Sequence, residues 1–130
     1  VLPGESRETV LRTIDYLNRL PIQGVKLQLL HVLSDSDLAD LYRAGEYTPL
    51  EKEEYLTLVG DCIAHLRADI VLHRLTGDGD KNTLLAPLWS LRKRDVLNHL
   101  HRYLRENHIR QGMSCKIDLS VIYNKPKDVL

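Results

Sequence analysis

The run VKLQLLHVL at residues 25–33 decides the fold class of this 130-residue chain. It is nearly continuous in Val and Leu, which is typical of a strand buried on at least one face. Before it, the segment from about Ser6 to Arg19 spaces its apolar residues as a helix does and ends ahead of Pro21. A helix followed by a buried strand predicts an α/β fold.

A second strand is predicted over residues 70–75, which begin with β-branched side chains. A long helix separates the two strands, and such a crossover predicts that they run parallel. We expect this helix to begin at the sequence TPLE, residues 48–51, because it has the form of a capping box with proline at the first helical position. The helix should end near Leu66.

The remaining segments complete a prediction of about four helices and two to three strands. A short helix is expected over residues 37–43, with Ser34 or Ser36 as its cap. The further expectations are a turn at 76–80, an apolar loop or bent edge segment at 84–89, a helix from 91 or 92 to 107, and an edge strand at 115–123.

The composition is that of one soluble domain, with 43% hydrophobic and 28% charged residues and a formal net charge of zero. No apolar run approaches the roughly 20 residues that cross a bilayer, so we expect no membrane partner. No secretory signal is apparent, which makes the cytoplasm the expected location. Cys62 and Cys115 stand far apart without a CxxC pattern, which predicts free thiols and no metal site.

The first five residues, VLPGE, form a strand-to-helix turn without the strand that should lead into it, so we expect this chain to be part of a larger protein. Within the turn, Pro3-Gly4-Glu5 is either a seat for an anion or nucleotide at the mouth of the helix or an ordinary turn. In the second case Glu5 only favours the helix dipole.

Polar residues collect near the ends of both predicted strands, where ligands bind in parallel sheets. His31 is near the end of the first strand and is either functional or a hydrogen-bonded core residue. Arg74 and Asp78 flank the end of the second strand, where they contact a substrate or form an ion pair that closes the turn. On the last helix, Arg92, Lys93 and Arg94 begin a basic tract that either contacts RNA phosphates or is simply a solvated face.

Several motifs together resemble one family. They are LPGE at 2–5, GVKL at 24–27 with HVL at 31–33, GEY at 45–47, and above all HRLTGDG at 73–79 paired with LLAPLWS at 84–90. This combination is similar to the C-terminal half of the YhcC-like radical SAM proteins, a group related to the Elongator-type radical SAM enzymes. The resemblance covers residues 1 to about 112 and leaves the tail 113–130 unassigned.

The resemblance implies a C-terminal fragment of a partial (βα)6 barrel of the TIM type. Such enzymes hold a 4Fe-4S cluster on a CxxxCxxC motif and cleave S-adenosylmethionine to a 5'-deoxyadenosyl radical. This chain lacks the motif and has two cysteines where the cluster needs three, so we expect it to bind neither cofactor alone and to contain no catalytic residue. The parent protein would be the enzyme.

The resemblance also implies roles for individual residues. The turn after the fifth barrel strand would shape the adenosine pocket, and the end of the sixth strand would flank the adenine. The implied cofactor residues are Leu2, Pro3, Gly4, Glu5, Val32 and Leu33, and the substrate-facing residues are His31, Arg74 and Asp78. The family usually has Lys-Gly-Thr or a similar triplet next, whereas this chain has Ser-Asp-Ser at 34–36. Some relatives are associated with wobble-uridine modification, which makes tRNA the expected substrate.

Two other functions stay open from the sequence. The chain could be a non-catalytic module whose basic helix binds RNA or a protein, or a purely structural fragment. The expected partners are the missing N-terminal half of the barrel and a second copy of the chain. The second copy would pair with an exposed sheet edge, with residues 117–123 as one candidate contact.

Overall fold

The computed structural model describes residues 1–117 and Ile122. Within them the chain has four α-helices, four short strands and one 3-10 turn, which confirms the α/β class. The elements are α1 (Arg7–Asn18), β1 (Gly24–Lys26), β2 (Val32–Leu33), α2 (Asp37–Arg43), α3 (Lys52–His65), β3 (Val71–Arg74), β4 (Leu84–Ala86), the 3-10 turn Leu88–Leu91 and α4 (Lys93–Glu106).

Helices α1, α2 and α4 confirm their predicted positions to within about two residues. The α1 start is a reciprocal cap, because the Thr9 N–H donates to Ser6 Oγ and the Ser6 N–H donates to Thr9 Oγ1. Ser36 rather than Ser34 caps α2, and its hydroxyl accepts from the Ala39 N–H. These starts depend on contacts within four residues, which explains why the sequence predicts them.

The predicted start of the long helix is wrong. Residues 48–50 remain outside α3, which takes Glu51 as its N-cap. The capping box is instead formed by Glu51 and Glu54, whose carboxylate accepts the Glu51 N–H at 2.9 Å. One contact that holds the earlier residues elsewhere is long-range, since the Trp89 indole donates to the Leu50 carbonyl at 3.1 Å.

The single strand predicted over residues 25–33 is also wrong, because the chain forms two strands with different partners. β1 pairs with β3 in parallel, as predicted, and the Leu27 N–H extends this pairing to the Arg74 carbonyl at 2.8 Å. β2 pairs with β4 in antiparallel orientation. Residues 27–31 between them are outside any strand, so the apolar run changes partner along its length.

The core consists of three neighbouring clusters, and α3 contributes to two of them. One centres on Leu29, Tyr55, Val59, Val96 and Leu100, where α3 meets α4. Another joins α1 to the other face of α3 through Ile14, Cys62, Leu66 and Ile70. The third contains Val32, Ala39, Tyr47 and Ala86 around β2 and β4. Helix α3 is therefore the central layer that supports the β1–β3 pair.

The edge strand predicted at 115–123 lies mostly outside the described residues and stays a prediction. Residues 115–117 are irregular and Ile122 is helical, while 118–121 and 123–130 lie outside the described residues. The preceding turn is fastened to the end of α3, because Gly112 N–H donates to Ile63 O and Ser114 N–H to Ala64 O. These bonds hold the turn against the end of α3.

Candidate functional site

A group of charged side chains lies at the carboxyl end of the β1–β3 pair. Arg74 Nη1 is 3.0 Å from the Asp78 carboxylate, and Lys93 Nζ contacts the other oxygen of the same carboxylate. The three side chains are 42%, 53% and 47% exposed in the order Arg74, Asp78, Lys93. One carboxylate thus links the end of β3 to the start of α4.

His31 joins this group from the segment before β2. Its ring lies against the loop that carries Asp78, because a Cβ built on Gly77 would be 2.6 Å from His31 Cε1 and one on Gly79 would be 3.0 Å from Cδ2. Only glycine on both sides lets the loop come this close. The structure therefore brings together the three residues predicted to face the substrate, and adds Lys93.

One nitrogen of the His31 ring has an unsatisfied hydrogen-bonding capacity. Its Nε2 is buried and has no hydrogen-bond partner among the described residues. Burial lowers the pKa of His31, and the charge of Lys93 lowers it further. The interpretation of His31 as a hydrogen-bonded core residue does not account for Nε2. We call His31, Arg74, Asp78 and Lys93 the carboxyl-end cluster.

The N-terminal turn lies on another side of β1. Gly4 has a φ of +82°, which favours glycine, and the Leu2 N–H donates to the Glu5 carboxylate at 2.7 Å. Nothing lies within 4 Å of the position that a Gly4 Cβ would take, so this side of the turn is open. The Tyr47 hydroxyl donates to the Val1 carbonyl at 2.9 Å and fixes the turn to the core.

An open groove of about 430 Å³ runs from this turn between α1, α3 and residues 26–30. Leu2 and Glu5 line it together with apolar side chains such as Leu29 and Val59. β1 pairs with β3 along one edge, and in the described part of the chain no strand lies along its other edge. The groove is bounded by the segment that continues β1.

Val32 and Leu33 are not brought to this groove. Val32 is fully buried in the cluster around β2, and the Leu33 carbonyl accepts from the Ser36 hydroxyl at 2.6 Å. The cause is the change of partner described above, because pairing with β4 turns these residues away from β1. The cofactor residues implied by the resemblance therefore fall into two separate groups.

At the opposite, amino end of the β1–β3 pair lies a network that the sequence did not suggest. The Arg67 side chain is 2% exposed, and its guanidinium donates to the carbonyls of Asn18, Leu20 and Ile22 at 2.9 to 3.1 Å. Its Nε also contacts Asp69 at 2.6 Å. An arginine in an otherwise unremarkable sequence context gives no signal that it is buried.

Two amides complete this network. Asn18 accepts from the Arg67 N–H at 2.8 Å and donates to the His65 carbonyl at 2.7 Å. Gln111 donates to the carbonyls of Arg67 and Ile70. We call Asn18, Arg67 and Gln111 the amino-end network. Most of its donors are used by backbone carbonyls and one by Asp69, so the network joins separate segments of the chain and serves stability.

The first turn of α4 is unusually basic. Arg92, Lys93 and Arg94 are exposed, and Arg92 is an N-cap without a side-chain cap bond. Helix N-termini favour negative charge, so three cations in this position are unfavourable by themselves. Asp95 in the same turn lies 3.5 Å from Lys52 Nζ.

The cysteines do not fit an iron-sulfur cluster. Cys62 is buried, and burial first and Asp61 second raise its pKa to about 11, so the thiol stays protonated at neutral pH. Cys115 is a half-buried free thiol. Among the described residues, no three His, Cys, Asp or Glu side chains could hold a metal ion together. In the same residues, no helix is long and apolar enough to cross a membrane.

The sequence of residues 22–106 matches the family model described as the Radical_SAM C-terminal domain. The chain therefore belongs to the radical SAM C-terminal domain family. Within it, the chain is similar to YhcC of Escherichia coli, with 32% identity over 108 residues, 83% of this chain and 35% of the relative. The resemblance to YhcC-like proteins is thereby confirmed.

Two further relatives support this family assignment. YtqA of Bacillus subtilis, an uncharacterised protein, is 32% identical over 111 residues, which are 85% of this chain and 34% of the relative. An uncharacterised protein of Methanocaldococcus jannaschii is 31% identical over 112 residues, 85% of this chain and 35% of the relative. The chain spans about a third of the length of these curated relatives.

Proposed function

We propose that this chain is the C-terminal portion of a YhcC-like radical SAM enzyme and that further polypeptide completes its barrel. The observation that carries the proposal is the edge of β1 along which, among the described residues, no strand lies. A sheet edge with free backbone groups is a template for another strand.

In this proposal the 4Fe-4S cluster belongs to the part of the parent protein outside this chain, because the cysteines described above do not fit it. When bound there, the cluster and S-adenosylmethionine supply a 5'-deoxyadenosyl radical. The open side of the Leu2–Glu5 turn forms one wall of the adenosine pocket, whereas Val32 and Leu33 lie in a separate part of this chain.

The carboxyl-end cluster faces the substrate in this proposal. Its neutral imidazole and its two cations offer hydrogen bonds and positive charge at the end of the sheet where ligands of parallel strands bind. We propose tRNA as the substrate and the cytoplasm as the location of the parent protein. This chain alone has no radical chemistry.

The enzyme proposal is tested on a longer protein that includes the preceding polypeptide. After anaerobic reconstitution with iron and sulfide, we expect an iron-sulfur absorption band and release of 5'-deoxyadenosine from S-adenosylmethionine under reducing conditions. A protein that gives neither signal contradicts the proposal.

Two glycines provide a matched pair for the cofactor wall. Gly4 and Gly45 both have a positive φ, and neither has a neighbour within 4 Å of a built Cβ. Gly4→Val and Gly45→Val therefore carry similar backbone strain. We expect only Gly4→Val to raise the concentration of S-adenosylmethionine needed for half-maximal 5'-deoxyadenosine release. Equal effects would remove this turn from the cofactor pocket.

Barrel completion is tested by amide exchange. In the longer protein we expect the amides of β1 to exchange more slowly than in the 130-residue chain, because a new strand accepts and donates along the open edge. The Leu27 amide is the internal control, since it is already bonded to the Arg74 carbonyl. Unchanged exchange in β1 contradicts the proposal. Light scattering of the chain then shows whether it forms a homodimer.

A second candidate function is supported by the basic first turn of α4. A non-catalytic module would bind RNA through Arg92, Lys93 and Arg94 with an affinity that falls as salt rises. Replacing Arg92 and Arg94 with alanine should weaken binding and reduce the salt dependence. Replacing Arg102 and Arg105, two exposed cations later on the same helix, is the charge-matched control. Equal losses from both pairs would exclude a specific role for the first turn.

A further inference from the structure

The carboxyl-end cluster has an excess of positive charge around a single carboxylate. Arg74 comes from β3 and Lys93 from α4, yet both use Asp78 as their anion. One negative charge facing two positive charges leaves a net charge of plus one. Arg92 and Arg94 flank Lys93 in the same exposed turn. The site therefore attracts more negative charge than Asp78 supplies.

Asp78 is attached in a way that permits its displacement. Its side chain is about half exposed, and exposed ion pairs are weak because water screens them. Gly77 and Gly79 on either side give the loop backbone freedom that other residues lack. The Asp78 carboxylate can therefore give up its two cations to a stronger anion without loss of buried contacts of its own.

We infer that Arg74 and Lys93 form an oxyanion site for a phosphate group, which Asp78 occupies until a phosphate-bearing ligand replaces it. The planar guanidinium of arginine matches two phosphate oxygens, and the lysine ammonium binds as a point charge. A second carboxylate would only reproduce the contacts of Asp78. A phosphate adds charge and a third oxygen, so it binds the two cations more strongly than the Asp78 carboxylate does.

His31 reports on this exchange because the Asp78 loop covers its ring. Gly77 and Gly79 lie against Cε1 and Cδ2, the two atoms that flank the buried Nε2. When a phosphate replaces Asp78, the charge next to Lys93 changes, and the charge of Lys93 acts on the His31 ring. Phosphate binding should thus change the ring signals of His31. The inference depends on the proposed function in one respect, namely that the carboxyl-end cluster faces the substrate.

The experiment is a titration of the 130-residue chain with inorganic phosphate, followed by NMR of the histidine rings. His31 is assigned by its loss in His31→Asn, and far-UV circular dichroism verifies the fold of every variant. We expect saturable shifts of His31. Asp78→Asn should tighten phosphate binding about fivefold, in keeping with the weak ion pairs that no longer compete. Lys93→Gln should weaken it by a similar factor.

Asp80→Asn is the matched control, because it removes the same charge from the same loop but from a residue whose carboxylate accepts from the Asn82 N–H. It should leave the phosphate affinity nearly unchanged. Absence of saturable binding in both the wild-type chain and Asp78→Asn overturns the inference. So does equal tightening by Asp78→Asn and Asp80→Asn, which would reflect general electrostatics.

The source of the phosphate is identified by competition. Adenosine monophosphate and a short single-stranded RNA are added in separate titrations. The competitor concentrations are counted per phosphate group. If RNA displaces inorganic phosphate at a lower concentration than the mononucleotide does, the ligand is a polynucleotide. The reverse order indicates a free nucleotide. Release of 5'-deoxyadenosine by the longer protein does not use this site. Failure of the phosphate inference and failure of the enzyme proposal are therefore seen in different measurements.

Discussion

Arg67 and Arg74 lie at opposite ends of the same pair of parallel strands, yet their surroundings differ completely. Arg67 is buried at the amino end, and its guanidinium donates to three backbone carbonyls and to Asp69. Arg74 is exposed at the carboxyl end, where it shares Asp78 with Lys93. The buried arginine joins the chain to itself, whereas the exposed one keeps its charge available to a ligand.

This difference separates stability from function within one small domain. Burial of a charged group is tolerated only when hydrogen bonds replace water, as they do around Arg67. The carboxyl-end cluster instead contains His31 Nε2, which is buried without a hydrogen-bond partner among the described residues, and an excess of positive charge. Both features lower stability and are common at functional sites. The following experiments test this division, from the largest expected effect to the smallest.

The largest effect is expected at Arg67. Arg67→Ala leaves the carbonyls of Asn18, Leu20 and Ile22 without their donor in a buried site, and we expect the free energy of unfolding to fall by about 3 to 5 kcal/mol. Urea denaturation followed by circular dichroism measures this. Arg67→Met keeps much of the side-chain volume, and we expect it to lower the free energy of unfolding almost as much. A loss below about 1 kcal/mol would mean that the amino-end network is not a structural joint.

The next effect concerns the contact between the Asp78 loop and His31. Gly77→Ala places a Cβ 2.6 Å from His31 Cε1, and we expect it to lower the free energy of unfolding by about 1 to 3 kcal/mol through overpacking. In a His31→Ala background, Gly77→Ala should lower the free energy of unfolding clearly less, because the ring that its Cβ would meet is absent. Equal costs in both backgrounds would show that the loop does not pack on this ring.

A small effect on stability is expected from Arg74, in contrast to Arg67. Arg74→Ala removes a half-exposed ion pair, so the free energy of unfolding should change by less than about 1 kcal/mol. The same urea experiment compares the two arginines directly. If Arg74→Ala destabilised the chain as much as Arg67→Ala, the carboxyl-end cluster would be a second structural joint rather than a ligand site.

The smallest effect is a pH dependence that arises from His31. Its pKa is lowered in the folded chain from its ordinary value near 6.5, first by burial and second by Lys93. The unfolded chain therefore takes up the proton first, and stability should fall as the pH drops from above 6.5 to the folded pKa and then level off. His31→Asn should remove this part of the slope. Replacing the exposed His101 is the control, and an unchanged slope in His31→Asn would contradict the assignment.

The sequence predicted part of the carboxyl end of the strand pair and nothing of the amino-end network. The position of Arg74 and Asp78 at the end of the second predicted strand indicated an ion pair or a ligand contact, and the structure contains that pair. Lys93 was predicted only as part of a basic helix, because its approach to Asp78 depends on how α4 packs. Arg67 gave no signal at all, since its partners are carbonyls of a segment nearly 50 residues away.

By itself, the sequence determined the α/β class, the positions of α1, α2 and α4, the parallel pairing of the first and third strands, and membership of the radical SAM C-terminal domain family. These follow from apolar periodicity, caps and motifs, which act over a few residues. Tertiary structure alone decided the division of the run at 25–33 between two partners, the later start of α3, and the fates of Arg67 and Lys93. Those outcomes depend on which distant groups satisfy a given backbone or charge, and no local pattern encodes that choice.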